Sequence, residues 1–488
     1  MADPAQALAK TVERCRERDI IIPTYRQMAH PEEIPQGIRD ELRQVGLWDL
    51  NSRNLFRISW KNEPVEYGGG FGPANFVELP GELTGVQARV FMLLGKYFPT
   101  GAHKVGATFG PLVEKLVRGA FDPTSQKALW PSTGNYCRGG AYNAYLLACG
   151  SIAVLPQGMS RERFEWLSKL GSEVYATPGS ESNVKEVYDK TAELKAARPD
   201  EIVVLNQFEE FGNAIWHYVC TGQAMEEIFA QHAGDGQRLS AVCLTQGSCG
   251  TLGCADYLRE RFPRIRVAAS EAVQCPTLLY NGHGEHRIEG IGDKHVPWIH
   301  NLRNMDLAVG IDDEACMRLL RLFNEPRGRE HLIRRGVDPS LVARLDLLGI
   351  SSIANLLTCV KTARYFEMDG NDVLFTVATD SVDMYRSRLD EEAERHGAYS
   401  ETAAAVDFER HLLGAGIDHV QELSYWDKKR IHNLKYFTWV EQLGKPVEEL
   451  DAQWNDPTYW SEKYRSWEEW DRRIEAFNRR TGLLERYR

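Results

Sequence analysis

Between residues 76 and 400, short apolar runs alternate with stretches whose apolar positions recur at helical spacing. Runs that are apolar throughout predict strands buried on both faces, and their alternation with helices predicts parallel sheets. Ligands bind at the carboxyl ends of the strands in such folds, so the polar loops that follow the strands are the candidate sites. The predicted strands are 89–94, 128–131, 152–155, 173–176, 202–205, 241–245, 266–269 and 373–378.

The two ends of the chain have different patterns. Residues 1–75 are irregular and rich in Pro, Arg and Glu, with short helices predicted near 5–17 and 38–45. Residues 401–488 follow helical spacing without a strand signal, and they contain six of the 12 tryptophans. Because aromatic side chains mostly pack, this end is interpreted as a packing or subunit-contact segment, with a lid over an active site as the alternative.

The fold class that follows is α/β. We predict an irregular N-terminal arm over 1–75, a core over 76–400, and a helical, Trp-rich C-terminal extension over 401–488. The core is expected to form two three-layer lobes, each with a parallel sheet, the smaller of them built around roughly 100–205.

Composition excludes several classes of function. The net charge of -11 argues against a nucleic-acid partner, because phosphate binding needs a basic face. No run of about twenty apolar residues predicts a membrane span, and no signal peptide is evident at the N-terminus. The ten cysteines lack a paired Cys-x-x-Cys spacing, which indicates reduced core thiols, a cytoplasmic location and no metal site.

One lysine stands at the start of a predicted helix. Lys104 follows the apolar run 90–94 and precedes a helix predicted over 108–118, with Thr100 as a candidate N-cap. A lysine held there can lose solvent and its proton, which suits Schiff-base chemistry. Taken alone, such a lysine is more often a solvated surface group.

Three further loops carry polar residues after predicted strands. The loop 132–135 reads Ser-Thr-Gly-Asn and can seat a carboxylate on free amides, although a helix cap uses the same residue types. The loop 247–251 reads Gly-Ser-Cys-Gly-Thr between a strand and a helix, which is the context of a phosphate cup, but it lacks the Gly-Lys-Ser/Thr ending of a nucleotide-triphosphate loop. The turn 379–381 reads Thr-Asp-Ser and is ordinary by itself.

Taken together and in this order, these stretches resemble the pyridoxal-phosphate enzymes of the tryptophan synthase β-subunit superfamily, fold type II. The resemblance covers roughly 76–390. The stretch 100–104 is similar to the tryptophan synthase β-subunit. The segments and residues similar to cysteine synthase are Ser132-Thr133-Gly134-Asn135, Leu155-Pro156, Met159-Ser160, Arg163, Lys169-Leu170-Gly171-Ser172-Glu173-Val174, Ile288-Glu289-Gly290-Ile291-Gly292, Val296-Pro297 and Gly349-Ile350-Ser351-Ser352.

The resemblance implies a role for each matching residue. Lys104 would form the Schiff base with pyridoxal phosphate and then remove the α-proton of the substrate. Asn135 would bond the phenolic oxygen of the cofactor, and His103 would neighbour its phosphate, as in part of the family. The phosphate would be held by Gly247, Ser248, Cys249, Gly250 and Thr251, and the substrate carboxylate by Ser132, Thr133, Gly134 and Gln207.

The partner of the cofactor's ring nitrogen stays open among Thr379, Asp380 and Ser381. A hydroxyl would leave the ring neutral and favour β-elimination, whereas a carboxylate would protonate the ring and deepen the electron sink. A hydroxyl is favoured because the family usually has one.

The implied activity is β-elimination or β-replacement on a small β-substituted L-amino acid, of the serine, O-acetylserine or cysteine type, through an aminoacrylate. Racemisation or a threonine-synthase-like γ-replacement on the same scaffold is the alternative, and a non-catalytic relative that binds cofactor or amino acid is a third. The loop 132–135 has no acidic residue, which argues against indole as second substrate. By family analogy the chain is expected to form a homodimer.

Overall fold

The computed structural model describes residues 3–132, 134–181, 183–292 and 294–487. All eight predicted strands are present to within a few residues, and the described part of the chain adds three that the apolar pattern missed, namely β1, β9 and β11. The strands are β1 (Phe76–Leu79), β2 (Arg89–Leu94), β3 (Lys127–Pro131), β4 (Gly150–Pro156), β5 (Glu173–Thr177), β6 (Ile202–Val204), β7 (Arg238–Thr245), β8 (Arg266–Ala272), β9 (Leu307–Ile311), β10 (Asp372–Ala378) and β11 (Val420–Glu422).

The strands form two sheets, as predicted. The larger has the order β1-β2-β10-β7-β8-β9-β11, in which β2 to β9 run parallel and the two outer strands run antiparallel to their neighbours. The smaller has the order β5-β4-β3-β6 and is parallel throughout. The inner strands are almost entirely buried on both faces, which explains their unbroken apolar sequences.

Helices cover the sheets and connect the strands. Three π-helical turns, His217–Thr221, Phe408–Leu413 and Tyr436–Gln442, continue helices directly. The α-helices are α1 (Pro4–Glu17), α2 (Tyr25–Ala29), α3 (Gln36–Leu42), α4 (Gly81–Thr84), α5 (Lys104–Val117), α6 (Asn135–Leu146), α7 (Arg161–Lys169), α8 (Val184–Ala197), α9 (Phe211–Trp216), α10 (Gly222–His232), α11 (Leu252–Arg261), α12 (Thr277–Tyr280), α13 (Asp313–Asn324), α14 (Pro326–Arg334), α15 (Pro339–Val342), α16 (Ile350–Tyr365), α17 (Arg386–His396), α18 (Glu401–Asp407), α19 (Tyr425–Lys435), α20 (Val447–Asn455), α21 (Tyr459–Arg465) and α22 (Trp467–Thr481).

The start of α5 differs from the prediction. The helix begins at Lys104 and not at 108, and the prediction of Thr100 as its N-cap is wrong. Thr100 lies in a separate short turn with a backbone φ of +68°, a left-handed conformation that a threonine rarely adopts. His103 occupies the cap position and makes no side-chain cap bond.

The two ends of the chain pack together. The side-chain amide of Asn478 in α22 donates to the carbonyl of Ile22 and accepts from its amide, at 2.7 and 3.2 Å. Asp471, also in α22, accepts from the amides of Tyr25 and Arg26 at the start of α2. The extension is helical as expected, but the expectation that it holds no strand is wrong, because β11 pairs with β9 at the edge of the larger sheet.

The described residues also bear on the membrane spans, metal sites and cysteines considered in the sequence. Among them, no helix is both long and apolar enough to cross a membrane. They also contain no group of three or more His, Cys, Asp or Glu side chains placed to hold a metal ion. All ten cysteines are buried thiols. The domain boundaries, the homodimer and the cytoplasmic location stay predictions.

Candidate active site

The sheet order brings the candidate loops to one edge. Strand β10 lies between β2 and β7, so the segments that follow these three strands are neighbours: Lys104, the loop 247–251 and the turn 379–381. The loop 132–135, which follows β3 of the smaller sheet, faces them across a narrow cleft. Lining side chains and backbone come from Lys104, Ser132, Asn135, Gln207, Gly247, Ser248 and Thr379, together with residues that the sequence did not indicate.

Lys104 is the first residue of α5 and is partly buried in the cleft wall. Its Nζ lies 3.4 Å from Ser248 Oγ in the loop 247–251. Burial lowers the pKa of Lys104 from 10.5 to about 8, against an opposing effect of Cys249 and Glu181. About a tenth of the amine is therefore neutral near pH 7, far more than for an ordinary lysine, and the neutral form is what a nucleophile or base requires.

The loop 247–251 is folded tightly against α9. Asn213 Nδ2 donates to Ser248 Oγ at 3.1 Å, and a Cβ on Gly250 would lie 2.0 Å from Asn213 Oδ1. Only glycine fits at 250, and it lets successive amides approach one point at the N-terminus of α11. Cys249 is buried and has φ +62°. Backbone amides at a helix N-terminus are an arrangement that suits an anion.

The loop 132–135 lies on the opposite wall. Gln207 Nε2 donates to Ser132 Oγ at 2.9 Å, which brings these two predicted carboxylate ligands together. Gly134 leaves no room for a side chain, because a Cβ there would lie 2.3 Å from Arg163 Nη1. Thr133 falls outside the described residues. Asn135 opens α6 and lines the cleft, and its Nδ2 donates to Asp380 Oδ2 at 2.5 Å.

The three candidates in the turn 379–381 separate in space. Thr379 lines the cleft, with its Oγ1 3.2 Å from His103 Nε2. Asp380 is fully buried and bonds Asn135 and the hydroxyl of Tyr385 at 2.7 Å. Ser381 donates to Asp383 at 3.3 Å. The cleft wall therefore carries a hydroxyl from this turn, and the carboxylate is engaged behind it.

His103, which precedes Lys104, is fully buried. Its ring meets the ring of His217 edge-on at 4.9 Å and stacks parallel to Trp216 at 6.5 Å. Burial holds the pKa of His103 well below its ordinary value of 6.5, so the ring is neutral. Its hydrogen bond goes to Thr379, and the expected contact with a phosphate stays a prediction.

Several site residues were missed by sequence reasoning. Glu181 lines the cleft from the small lobe, almost fully buried, with its Oε2 3.8 Å from Arg163 Nη1. Val184 and Phe208 add an apolar wall beside it. No motif pointed to these three residues, because only the folded chain brings them to the cleft.

A fourth missed residue is Ser351 at the start of α16. Its Oγ is buried and bonds no atom of the described residues, and a Cβ on the cleft-lining Gly290 would lie 3.7 Å from it. A signal existed here, since 288–292 and 349–352 are both segments that carry the resemblance to cysteine synthase. The structure adds this hydroxyl to the candidates for a cofactor contact.

The chain is similar to known proteins over more than half of its length. The sequence model of the family described as "Pyridoxal-phosphate dependent enzyme" matches residues 68–329. A probable cysteine synthase of Bacillus subtilis is 28% identical over 297 residues, covering 60% of this chain and 87% of that protein.

Two solved structures have a similar fold. An O-acetylserine-dependent cystathionine beta-synthase from Helicobacter pylori is similar with a TM-score of 0.53 and 26% identity, covering 64% of this chain and 94% of that one. A cysteine synthase from Entamoeba histolytica has a TM-score of 0.57 at 19% identity, over 69% of this chain and 92% of that one, which shows the fold alone.

Proposed function

Because this chain belongs to the family of pyridoxal-phosphate-dependent enzymes, and is of the cysteine synthase type, we propose that it catalyses β-elimination or β-replacement on a small β-substituted L-amino acid, of the serine, O-acetylserine or cysteine type. The observation that carries the proposal is the cleft itself. It joins an amine with a pKa of about 8 to a preformed anion seat and to a pair of polar groups suited to a carboxylate.

The residues present fit the cofactor. A side chain at Gly250 would collide with Asn213, so the backbone of 247–251 is kept bare at a helix N-terminus, as a phosphate requires. The buried hydroxyl of Ser351 has no hydrogen-bond partner among the described residues, as expected of a group whose partner is supplied by a ligand. When bound, pyridoxal phosphate supplies an aldehyde that condenses with amines and a ring that accepts electrons released at Cα.

The proposed roles follow from position. Lys104 would hold the cofactor, and 247–251 would hold its phosphate. Ser132 and Gln207, with the backbone at Gly134 and the expected Thr133, would hold the substrate carboxylate. Asn135 would contact the ring from the small lobe.

For the ring nitrogen we propose a hydroxyl, either Thr379 or Ser351. Thr379 lines the cleft and Asp380 does not, and the Oδ2 of Asp380 accepts from Asn135 and Tyr385, whereas Ser381 donates to Asp383. A hydroxyl partner leaves the ring neutral, which favours loss of the β-group over chemistry that needs a deeper electron sink.

Proton transfer falls to Lys104. With a pKa of about 8, its Nζ can take the α-proton from the bound amino acid and return a proton to the departing β-group. Glu181 supplies a negative charge in the same cleft, which keeps the amine from becoming still less basic.

The test is a panel of amino acids with the cofactor-loaded protein in D₂O. O-acetyl-L-serine, L-serine and L-cysteine are each followed by NMR for exchange of the α-proton and assayed for pyruvate and ammonia, with and without sulfide. We expect α-exchange together with pyruvate, or with a new β-substituted amino acid when sulfide is present.

Other outcomes would replace the proposal. Exchange with formation of the D-amino acid and no pyruvate indicates a racemase. Absence of exchange with every amino acid, despite bound cofactor, indicates a relative that binds without turnover.

A further inference from the structure

The C-terminal extension reaches the cleft through one cluster of apolar side chains. The wall cluster consists of Val184, Phe208, Trp298, Trp439 and Leu450. Val184 and Phe208 line the cleft, whereas Trp439 and Leu450 belong to the extension. The extension therefore packs in the same cluster as two residues of the cleft wall.

Trp439 is fixed in this position. It is fully buried, and its indole Nε1 donates to the carbonyl of Val296 at 2.8 Å. One turn earlier, Lys435 Nζ donates to the carbonyls of Trp298 and His300 at 3.0 and 2.7 Å. These three carbonyls lie in one segment, a few residues beyond the cleft-lining Gly290–Gly292.

A second anchor lies beside Phe208. Lys445, which follows the π-helical turn that contains Trp439, pairs with Glu209 at 2.7 Å, and its ammonium lies 5.3 Å from the centre of the Trp298 ring. The extension is thus attached on both sides of the wall cluster. A segment attached in this way acts as a rigid wall, which argues against a lid that opens and closes.

We propose that Trp439 is a positioning residue that sets the width of the cleft for the side chain of the amino acid and for the second substrate. It acts through the wall cluster, in which its ring meets that of Trp298 at 6.3 Å and to which the cleft-lining Phe208 belongs. Because interiors are close-packed, a smaller residue at 439 leaves a void into which the wall cluster can relax, and the cleft widens. This inference rests on the proposed amino-acid chemistry of the same cleft.

The first test does not depend on turnover. Affinities for unreactive L-amino acids of increasing size, namely alanine, norvaline and phenylalanine, are read from the absorbance change of the bound cofactor. We expect Trp439→Leu to shift the ratio of affinities toward phenylalanine by about tenfold, the discrimination that one or two methylene groups provide. Trp439→Phe, which keeps most of the bulk, should restore the ratio.

Two further variants distinguish an effect on the cleft wall from a general loss of stability. Phe208→Leu should shift the ratio in the same direction as Trp439→Leu. Trp470→Leu is the matched control, because Trp470 is a partly buried tryptophan of the same extension that packs beside Arg118 and Arg473, and it should leave the ratio unchanged.

The second test uses replacement itself. With O-acetyl-L-serine, kcat/KM is compared for sulfide and for thiophenol as nucleophiles, and Trp439→Leu should favour thiophenol relative to wild type. A uniform loss for all ligands, or an unchanged ratio in a folded, cofactor-loaded Trp439→Leu protein, would overturn the proposal. If wild type uses no nucleophile, the proposed replacement fails, while the binding series still decides the role of Trp439.

Discussion

Two buried or partly buried lysines differ in their surroundings: Lys104 lies in the cleft, and Lys435 lies in the C-terminal extension. Lys435 is fully buried, and its three N–H groups donate to Trp298, His300 and Gln453 at 2.7–3.0 Å. The Nζ of Lys104 makes one hydrogen bond within the described part of the chain, to Ser248 at 3.4 Å, and it lines the cleft.

Burial lowers the pKa of both lysines, to about 8 for Lys104 and well below the ordinary value for Lys435. A depressed pKa therefore does not by itself identify the reactive amine. The difference lies in what surrounds the nitrogen. Acceptors surround Lys435 on all sides and leave no path for a ligand, whereas Lys104 borders a cleft that a substrate can enter.

The largest expected effect is the loss of chemistry when Lys104 is removed. Lys104→Ala should reduce the rate of α-proton exchange by about 10³-fold or more, because both the attachment point and the base are lost. Borohydride reduction of the loaded wild-type protein, followed by peptide mass analysis, should find the cofactor mass on the Lys104 peptide and none on the Lys435 peptide. Label on any other lysine would remove Lys104 from its proposed role.

Lys435→Met should instead act on stability. It leaves two backbone carbonyls and the side chain of Gln453 without their donor in a buried site, at a cost of about 3 kcal/mol in the free energy of unfolding. Chemical denaturation measures the change. Lys185→Met, at an exposed lysine paired with Asp189, is the control and should leave the free energy of unfolding nearly unchanged, because solvent screens an exposed ion pair.

The proposed difference between Lys104 and Lys435 would be wrong if Lys435→Met abolished cofactor attachment in protein that is still folded. The expected result is that borohydride still places the cofactor on Lys104, since the extension lysine makes its contacts outside the cleft.

The next largest expected effect is the pH dependence of cofactor uptake. Condensation with an aldehyde needs the neutral amine, so the uptake rate of cofactor-free protein should rise with pH around a midpoint near 8, where half of Lys104 is deprotonated, and then level off. An ordinary lysine would give a rise centred near 10.5. Stopped-flow absorbance at fixed ionic strength measures the midpoint, and a midpoint near 10 would show that the cleft does not depress this amine.

Much of this fold could be predicted, because the inner strands of the larger sheet are buried on both faces and have unbroken apolar sequences. The missed strands lack that pattern. In β11 the sequence is Val-Gln-Glu at an exposed edge, and in β9 a glycine interrupts the run. Thr100 was misjudged as a cap because its left-handed backbone is imposed by the surrounding turn and not by its side chain.

The site residues also divide into those that the sequence predicted and those that it did not. Local motifs indicated Lys104 and the loops 132–135 and 247–251, since each follows a strand and opens a helix. Glu181 and Phe208 lie in loops without a motif, and the two sheets bring them to Lys104 only when the lobes pack. The contact of Trp439 with the same wall joins residues far apart in the chain, which no local pattern records.

The smallest expected effect comes from the negative charge of Glu181, which lies in the same cleft as Lys104. That carboxylate raises the pKa of Lys104 against the effect of burial. Glu181→Gln keeps the shape and removes the charge, so the midpoint of cofactor uptake should fall, by less than about one pH unit. Arg163 is not left unpaired by this change, because Glu289 lies 2.9 Å from the same Nη1.

The matched control for this shift is Glu193→Gln, at an exposed position of α8 that pairs with Lys190. It should leave the uptake midpoint unchanged, because solvent screens an exposed charge from the cleft. A rise of the midpoint in Glu181→Gln, or an equal shift in both variants, would mean that Glu181 does not act on the amine directly. The depressed pKa would then be due to desolvation alone, as it largely is for Lys435.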